Sequence, residues 1–220
     1  MAYRRTANVL RRLNARHDAI VDAARDAATA GGMAAIQIAP VAERAGVAAG
    51  TVYRYFPGKI ELVGALVESV AEREIEAVRK AADAAPGPLS AVAAAVATFG
   101  ARALRNRKLA WAVIAEPVDT DTDAVRQQYR RDLSAEIERR IRAAIAGGHL
   151  PEQDASLGAS ALVGALLEGL IGPLAPEGME DPARAREAVQ TLTLFALRGL
   201  GVVDARARGL VVQTVLPDEK

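Results

Sequence analysis

Apolar residues recur along most of this chain at spacings of three and four, the period of a helix with one buried face. The first such stretch ends near Ala30 and places Ile20, Ala23, Ala24, Ala27 and Ala28 on one side. Asn14 is placed to cap it and Gly31-Gly32 to end it. A second helix is predicted from Ile38 to Ala45, with Pro40 in the first turn, where proline is tolerated. Gly46 supplies the positive φ of a tight turn, and a third helix follows over Ala49–Tyr55. Pro57-Gly58 separates it from a fourth, Lys59 to about Ala82. The stretch Ala84 to Pro88, AAPGP, is the best linker candidate. Beyond it the pattern predicts helices at Leu89–Arg105, Lys108–Ala115, Asp123–Ala146, Asp154–Gly172 and Pro182–Leu200. The two ends differ from this regime. Met1 to Asn14 carries Arg4, Arg5, Arg11 and Arg12 with no acid and reads as an arm. Val202 to Lys220 contains VVQTV, strand-like in composition, and reads as an ordered extension or a frayed end.

Composition agrees with an all-α fold: alanine, leucine, glutamate and arginine abound, and only 4% of the 220 residues are aromatic. Several chemistries drop out. There is no cysteine, so disulfides and thiolate metal or redox sites are excluded. His17 and His149 offer no metal-ligand spacing, and no cofactor is expected. No histidine clusters with a carboxylate or serine in the manner of a catalytic site, and no glycine-rich phosphate loop is present, which argues against an enzyme. No apolar stretch precedes the first charges, so no secretory leader is expected and the location expected is the cytoplasm. The apolar run Leu157 to Ala175 is interrupted by Glu168 and Pro173, which fits a buried helix rather than a membrane span.

Charge is unevenly distributed. Through Ile60, nine lysines and arginines stand against four acids; from Glu61 onward nineteen stand against twenty-three. A basic head on an acidic body suits a polyanion-binding module joined to a second module.

The most informative stretch is Pro40 to Lys59, PVAERAGVAAGTVYRYFPGK. Two short helices at a fixed angle need small residues where they touch and apolar residues that lock them. Ala42, Ala45 and Gly46 meet the first need; Val41, Val47, Val52 and Phe56 meet the second. This is a helix-turn-helix, which places its second helix in the DNA major groove. Ala48, Ala49, Thr51, Arg54 and Tyr55 are then free to face outward, with Arg44 joining the DNA-facing set. Thr51 can contact a phosphate or a thymine methyl, and Arg54 can pair with guanine O6 and N7. Tyr53, Tyr55 and Lys59 suit phosphates, which set register rather than sequence; for Tyr53, packing is an equal alternative. At Ala48 and Ala49 only apolar contact or close backbone approach is possible.

These residues resemble the signature of TetR-family transcriptional regulators. The pattern appears here as Val41-Ala42, Ala45-Gly46-Val47, Gly50-Thr51-Val52-Tyr53, Tyr55-Phe56 and Lys59, with Ile20-Val21-Asp22-Ala23-Ala24 and Gly32 matching the family's first helix. The resemblance covers about Arg16 to Leu66. Departures are visible. The family often has Ser and Lys where Ala48 and Ala49 stand, which removes a helix cap and a phosphate contact. Gln37 is a poor cap for the second helix, and Ala27 and Ala28 replace larger residues, so the small core is thinly filled.

The resemblance implies an N-terminal DNA-binding domain over residues 1–60, with the arm, and a helical effector-binding and dimerisation domain over 61–201, followed by a tail over 202–220. It implies a homodimer that reads a pseudo-palindromic operator on double-stranded DNA. It also implies a small, largely apolar effector whose binding releases that operator. For the effector, the aromatics beyond the head are Phe99, Trp111, Tyr129 and Phe195. Trp111, Ile114 and Val118 flank the Glu116-Pro117 break, and Tyr129, Arg130 and Leu133 open the next long helix. The candidate effector residues are Phe99, Arg102, Trp111, Ile114, Tyr129, Arg130 and Leu133; Arg102 or Arg130 can pair with an anionic group. Ordinary core is the competing reading for each aromatic. For the dimer, Ala161, Ala165 and Gly169 on one helix and Leu192, Ala196 and Gly199 on another form small-residue stripes that allow close helix approach. Packing within one chain is the competing reading there. An architectural DNA-binding protein without a ligand is the other function class that the head permits.

Overall fold

The computed structural model describes residues 2–117 and 120–216, and among these it is built from ten α-helices. The head comprises α1 (Ala2–Gly31), a single 3-10 turn over Met33–Ala35, α2 (Ile38–Arg44) and α3 (Ala49–Tyr55). The body comprises α4 (Lys59–Asp83), α5 (Pro88–Arg105), α6 (Arg107–Ile114), α7 (Thr120–Ala146), α8 (Ala155–Leu166), α9 (Pro182–Gly199) and α10 (Asp204–Gln213). The head rests on α4 and α6 through α1. The body's core lies among α4, α5 and α7, with α8 against α7, and α9 and α10 against α5.

The helices follow the apolar period closely. Ile20, Ala24, Ala28, Val41, Val52 and Phe56 meet in the head, and Leu62, Leu66, Val92, Val96, Leu133, Ile137 and Ile141 meet in the body, all buried. Gly100 lets α5 approach its neighbours: a Cβ there would lie 3.1 Å from Leu170 and 3.3 Å from Val189.

Three local expectations are corrected, and one left open is decided. The residues ahead of Asn14 continue α1, because nothing from Ala2 to Asn14 breaks a helix; Asn14 is an exposed mid-helix residue and caps nothing. Ala84 to Pro88 is a tight turn between two packed helices rather than a domain linker, with Gly87 at the N-cap of α5 and Pro88 opening it. The VVQ of the tail belongs to a helix, α10, whose Ala207 is buried while Val203, Val212 and Val215 stay exposed. Helix-forming residues from Asp204 onward, held by Asp204 pairing with Arg198 and Arg208, override the local strand preference. Finally, α8 does not run regularly to Gly172: it widens into a π turn over Leu167–Ile171. The Arg107 guanidinium from α6 takes the freed carbonyls there, donating to Leu170 O at 3.1 Å and Ile171 O at 3.5 Å.

Candidate nucleic-acid interface and effector cleft

The turn between α2 and α3 forms as the residues require. Gly46 sits at φ +66°, its N–H reaches Glu43 O at 3.1 Å, and the Val47 N–H reaches Ala42 O at 2.9 Å. Val41, Ala42, Val52 and Phe56 are buried and fix the second helix on the first. Ala48, Ala49, Gly50, Tyr53 and Arg54 are left exposed along α3, and Thr51 is half-buried. Lys59 is exposed at the first residue of α4. Arg44 is exposed and loosely paired with Asp26 at 3.5 Å, two solvated groups whose mutual hold is weak.

Tyr55 corrects the sequence expectation of an outward residue. Its ring packs edge-on to His17, 6.3 Å between centroids, and its hydroxyl is buried with no hydrogen-bond partner among the described residues. His17 also lies 5.1 Å from the Phe56 ring, so α1 supplies an aromatic shelf for the end of α3. What Tyr55 presents outward is its ring face, over which the Arg54 guanidinium sits at 5.9 Å. Tyr53, 53% exposed, is the tyrosine free to reach a phosphate. The two weak caps are as the residues imply: Ala48 and Gln37 hold the N-cap positions of α3 and α2 and neither side chain caps its helix. Gln37 donates to Ala34 O at 3.0 Å instead. The thin filling near Ala27 shows as a hollow of about 500 Å³ lined by Ala23, Ala27, Ala30, Pro40 and Val41, among others.

The candidate effector residues divide. Phe99, Ile114, Tyr129 and Leu133 are buried in the core of the body. Arg102 is not available to a ligand as it stands: Glu74 on α4 holds it with two hydrogen bonds, 2.6 and 2.9 Å. Burial, then the nearby Glu74 carboxylate, pushes the Tyr129 hydroxyl pKa far up, so it is a neutral donor throughout the physiological range. Arg130 is spent on the Ile114 carbonyl at the end of α6 (Nε 3.2 Å). Its neighbour Arg126, 2% exposed, donates to the carbonyls of Ala112 and Glu116 at the same helix end. The sequence offered Arg102 and Arg130 as anion anchors because their partners lie on other helices and cannot be read from spacing. Val118 lies outside the described residues.

Trp111 alone of the seven faces the large cleft of the body, about 1210 Å³ at the junction of α5, α6 and α9. The walls include Leu104, Ile171, Met179, Val189 and Leu216; the rim includes Arg105, Asn106, Lys108, Glu180 and Arg186. Sequence reasoning missed this rim. The signal available was the cationic pair Arg107-Lys108 in the first turn of α6, where positive charge opposes the helix dipole.

The cleft is tied to the head through both ends of α6. Asn106, which lines the cleft and caps α6 by accepting from the Leu109 N–H, donates from Nδ2 to Thr29 Oγ1 on α1 at 3.2 Å. At the other end the Glu116 carboxylate accepts the Met33 backbone N–H at 3.0 Å. Gly32, φ +71°, makes room for that carboxylate: a Cβ there would lie 2.9 Å from Glu116 Oε2. Farther along, α4 is pinned to α7 by Arg140, which bonds Glu136 at 2.6 Å and Asp83 at 2.7 Å.

The small-residue stripes also divide. Ala161 and Gly199 are exposed, and Ala165 is half-buried. Ala196 is 2% exposed and covered by its own chain, which removes it from any contact between chains. Gly169 and Leu192 pack on each other within the chain, since a Cβ on Gly169 would lie 3.0 Å from Leu192 Cδ1. The outward face of α8 and α9 instead carries Leu157 and Phe195, 68% and 58% exposed, beside Ala161 and Gly164. Phe195 therefore sits on the surface rather than in an effector pocket. Among the described residues no helix is long and apolar enough to cross a membrane.

Comparison with known proteins bears on both modules. Residues 20–66 match the model of the family described as bacterial regulatory proteins, tetR family. The HTH-type transcriptional repressor KstR of Rhodococcus jostii is 46% identical over 72 residues, 33% of this chain and 32% of that protein. KstR of Mycolicibacterium smegmatis is 52% identical over 48 residues, 22% of this chain and 24% of that one. The chain thus matches about a third or less of the length of these curated relatives. Over the whole fold it is similar to the crystal structure of RolR with its ligand resorcinol, with a TM-score of 0.69, 20% identity, and 96% of this chain and 100% of that one covered. It is also similar to FadR from Bacillus subtilis in complex with stearoyl-CoA, with a TM-score of 0.66, 18% identity, and 80% of this chain and 96% of that one covered.

Proposed function

Because the chain belongs to the tetR family of bacterial regulatory proteins, we propose that it is a ligand-responsive transcriptional repressor, acting in the cytoplasm as a homodimer on a pseudo-palindromic operator. The observation that carries the reading is α3: its Ala48, Ala49, Gly50, Tyr53 and Arg54 stand exposed on a rigid, apolar-locked support with no function inside the chain. Arg54 reads a base edge, Thr51 adds a phosphate or methyl contact, and Tyr53, Lys59 and Arg44 hold phosphates. Alanines at positions 48 and 49 let the backbone come close, so groove shape contributes to selectivity.

Two recognition helices must be held one DNA turn apart, which a two-fold dimer does. The outward α8–α9 face, with Leu157, Ala161, Gly164 and Phe195, supports a four-helix contact between subunits. An effector changes the state of such a dimer only if it binds one arrangement better than the other. A ligand that spreads the walls of the cleft displaces α6. Asn106 and Glu116 then carry the displacement to Thr29 and Met33 at the base of α1. The cleft favours this reading over a ligand-independent architectural role.

The test is binding of the purified protein to DNA from beside its own gene, with salt titrated and Arg54→Ala alongside. Selective binding that Arg54→Ala weakens by about 1–3 kcal/mol supports a sequence reader. Lys59→Ala should flatten the logarithmic salt slope by about 0.9. Weak binding, indifferent to sequence and to Arg54 even after selection from a random DNA pool, refutes the reading.

A further inference from the structure

We propose that the cleft at the junction of α5, α6 and α9 binds an amphipathic anion, with an elongated apolar body on its floor and an anionic head between Lys108 and Arg186. This names the effector class for the function proposed above, and rests on that reading for its regulatory consequence but not for binding itself.

The floor is apolar: Leu104, Ile171, Met179 and Val189 line it, with Leu216 beside them. Its volume, about 1210 Å³, exceeds the range of roughly 300–1,000 Å³ that ordinary small-molecule sites occupy, so a single small ring would leave most of it wet. The rim is charged. Lys108 and Arg186 line it, as does Arg107, which lies 3.8 Å from Glu180, the one carboxylate among the described lining residues.

Lys108 and Arg186 stand out against the rest of the body. The body is net acidic, and its arginines are largely consumed in ion pairs: Arg102 with Glu74, Arg140 with Glu136 and Asp83, Arg142 with Glu138, Arg184 with Glu187, Arg198 with Asp204. Lys108 and Arg186 have no such partner among the described residues, although Glu187 adjoins Arg186 in sequence. Lys108 moreover lies in the first turn of α6, where a cation opposes the helix dipole. An anion seated there relieves that opposition and neutralises both side chains. A neutral ligand of the same shape leaves them as they are, so the site selects for charge as well as for shape.

Trp111 lines the cleft and is the chain's one tryptophan, so its emission reports occupancy without a label. The full-length protein is titrated with decyl phosphate, decanoate and decanol, each below its micelle or solubility limit, with circular dichroism to verify folding. Both anions should change Trp111 emission saturably, and decanol should bind roughly tenfold more weakly, the value of one charge-assisted contact. The exposed pair Lys108→Gln with Arg186→Gln should bring the anions to the affinity of decanol and leave decanol unchanged. Ala185→Phe, which puts a bulky side chain into the cleft, should weaken the response to all three. A preference for phosphate over carboxylate would identify the head group within the class. Equal binding of anion and alcohol, anion affinity untouched by the charge substitutions, or a silent Trp111 would each overturn the proposal. Operator release, measured on the same samples, separates the two readings. Charge-dependent filling of the cleft without release upholds the site and removes its regulatory role. Release by any of the probes with Trp111 silent upholds the regulator and removes the site.

Discussion

Replacing Glu116 by alanine tests how the body is joined to the head. The Glu116 carboxylate accepts the Met33 N–H at 3.0 Å, next to Gly32, whose lack of a side chain makes room for it. Hydrogen bonds to a charged group contribute about 1.5–3 kcal/mol, and the partial exposure of Glu116 places this one near the lower end, about 1.5 kcal/mol. That is roughly a tenfold change in the balance between a head held against α6 and one free to tilt. Operator affinity of Glu116→Ala should therefore fall about tenfold, measured by DNA titration at fixed salt. Exchange of the Met33 amide hydrogen should quicken by a similar factor. Glu116→Gln keeps an acceptor oxygen but loses the charge, and should fall between the two. Gly32→Ala should reproduce the alanine effect and exceed it, since its Cβ displaces the carboxylate at a backbone position, φ +71°, that strains any side chain. Unchanged or increased operator affinity in Glu116→Ala would refute the reasoning. It would mean that the bond does not hold the head in its DNA-reading orientation.

Other outcomes follow from the same geometry. Ala27→Leu projects into the hollow of about 500 Å³ beside Pro40 and Val41; partial burial of the added carbons, at about 0.8 kcal/mol per CH₂, should stabilise the protein by roughly 1–2 kcal/mol and raise Tm by a few degrees in calorimetry. Phe195→Glu puts a charge on the exposed α8–α9 face and should convert a dimer to monomers in light scattering, with at least a hundredfold loss of operator affinity; a dimer that survives places the interface elsewhere. Hydrogen bonding to Arg140 holds the Asp83 pKa below 3.8, so its contribution to stability is complete above that pH and lost as pH falls through the lowered value. The Tm difference between the wild-type chain and Asp83→Asn should accordingly be constant from neutrality to about pH 4 and vanish in stronger acid.

Local chemistry was legible in the chain itself. The apolar period placed most helices of the body to within a few residues, because a helix buries one face and that face recurs every three or four positions. The turn at Gly46, the locking role of Val41, Val52 and Phe56, and the missing caps at Gln37 and Ala48 were equally plain, since each depends on neighbours within a few residues. The ends were less legible for a related reason. Composition near the termini spoke for an arm at the front and left the tail open between an ordered extension and a frayed end, and helix-forming residues carried α1 and α10 through them.

Pairing across helices was a matter for the tertiary structure. Arg102 and Arg130 looked like anion anchors until Glu74 and the Ile114 carbonyl occupied them, and Tyr55 looked outward until His17 took its ring edge. Ala196 shared a stripe with Gly199, yet one turns inward and the other to solvent, because a stripe of small residues marks close packing without saying against what. Lys108 and Arg186, nearly eighty positions apart, became one charged rim when α6 and α9 each packed on α5. Spacing along a chain determines which side of a helix a residue occupies. Which other helix meets that side, and so whether a charge is neutralised or left for a ligand, depends on contacts whose separation in sequence carries no periodic signal.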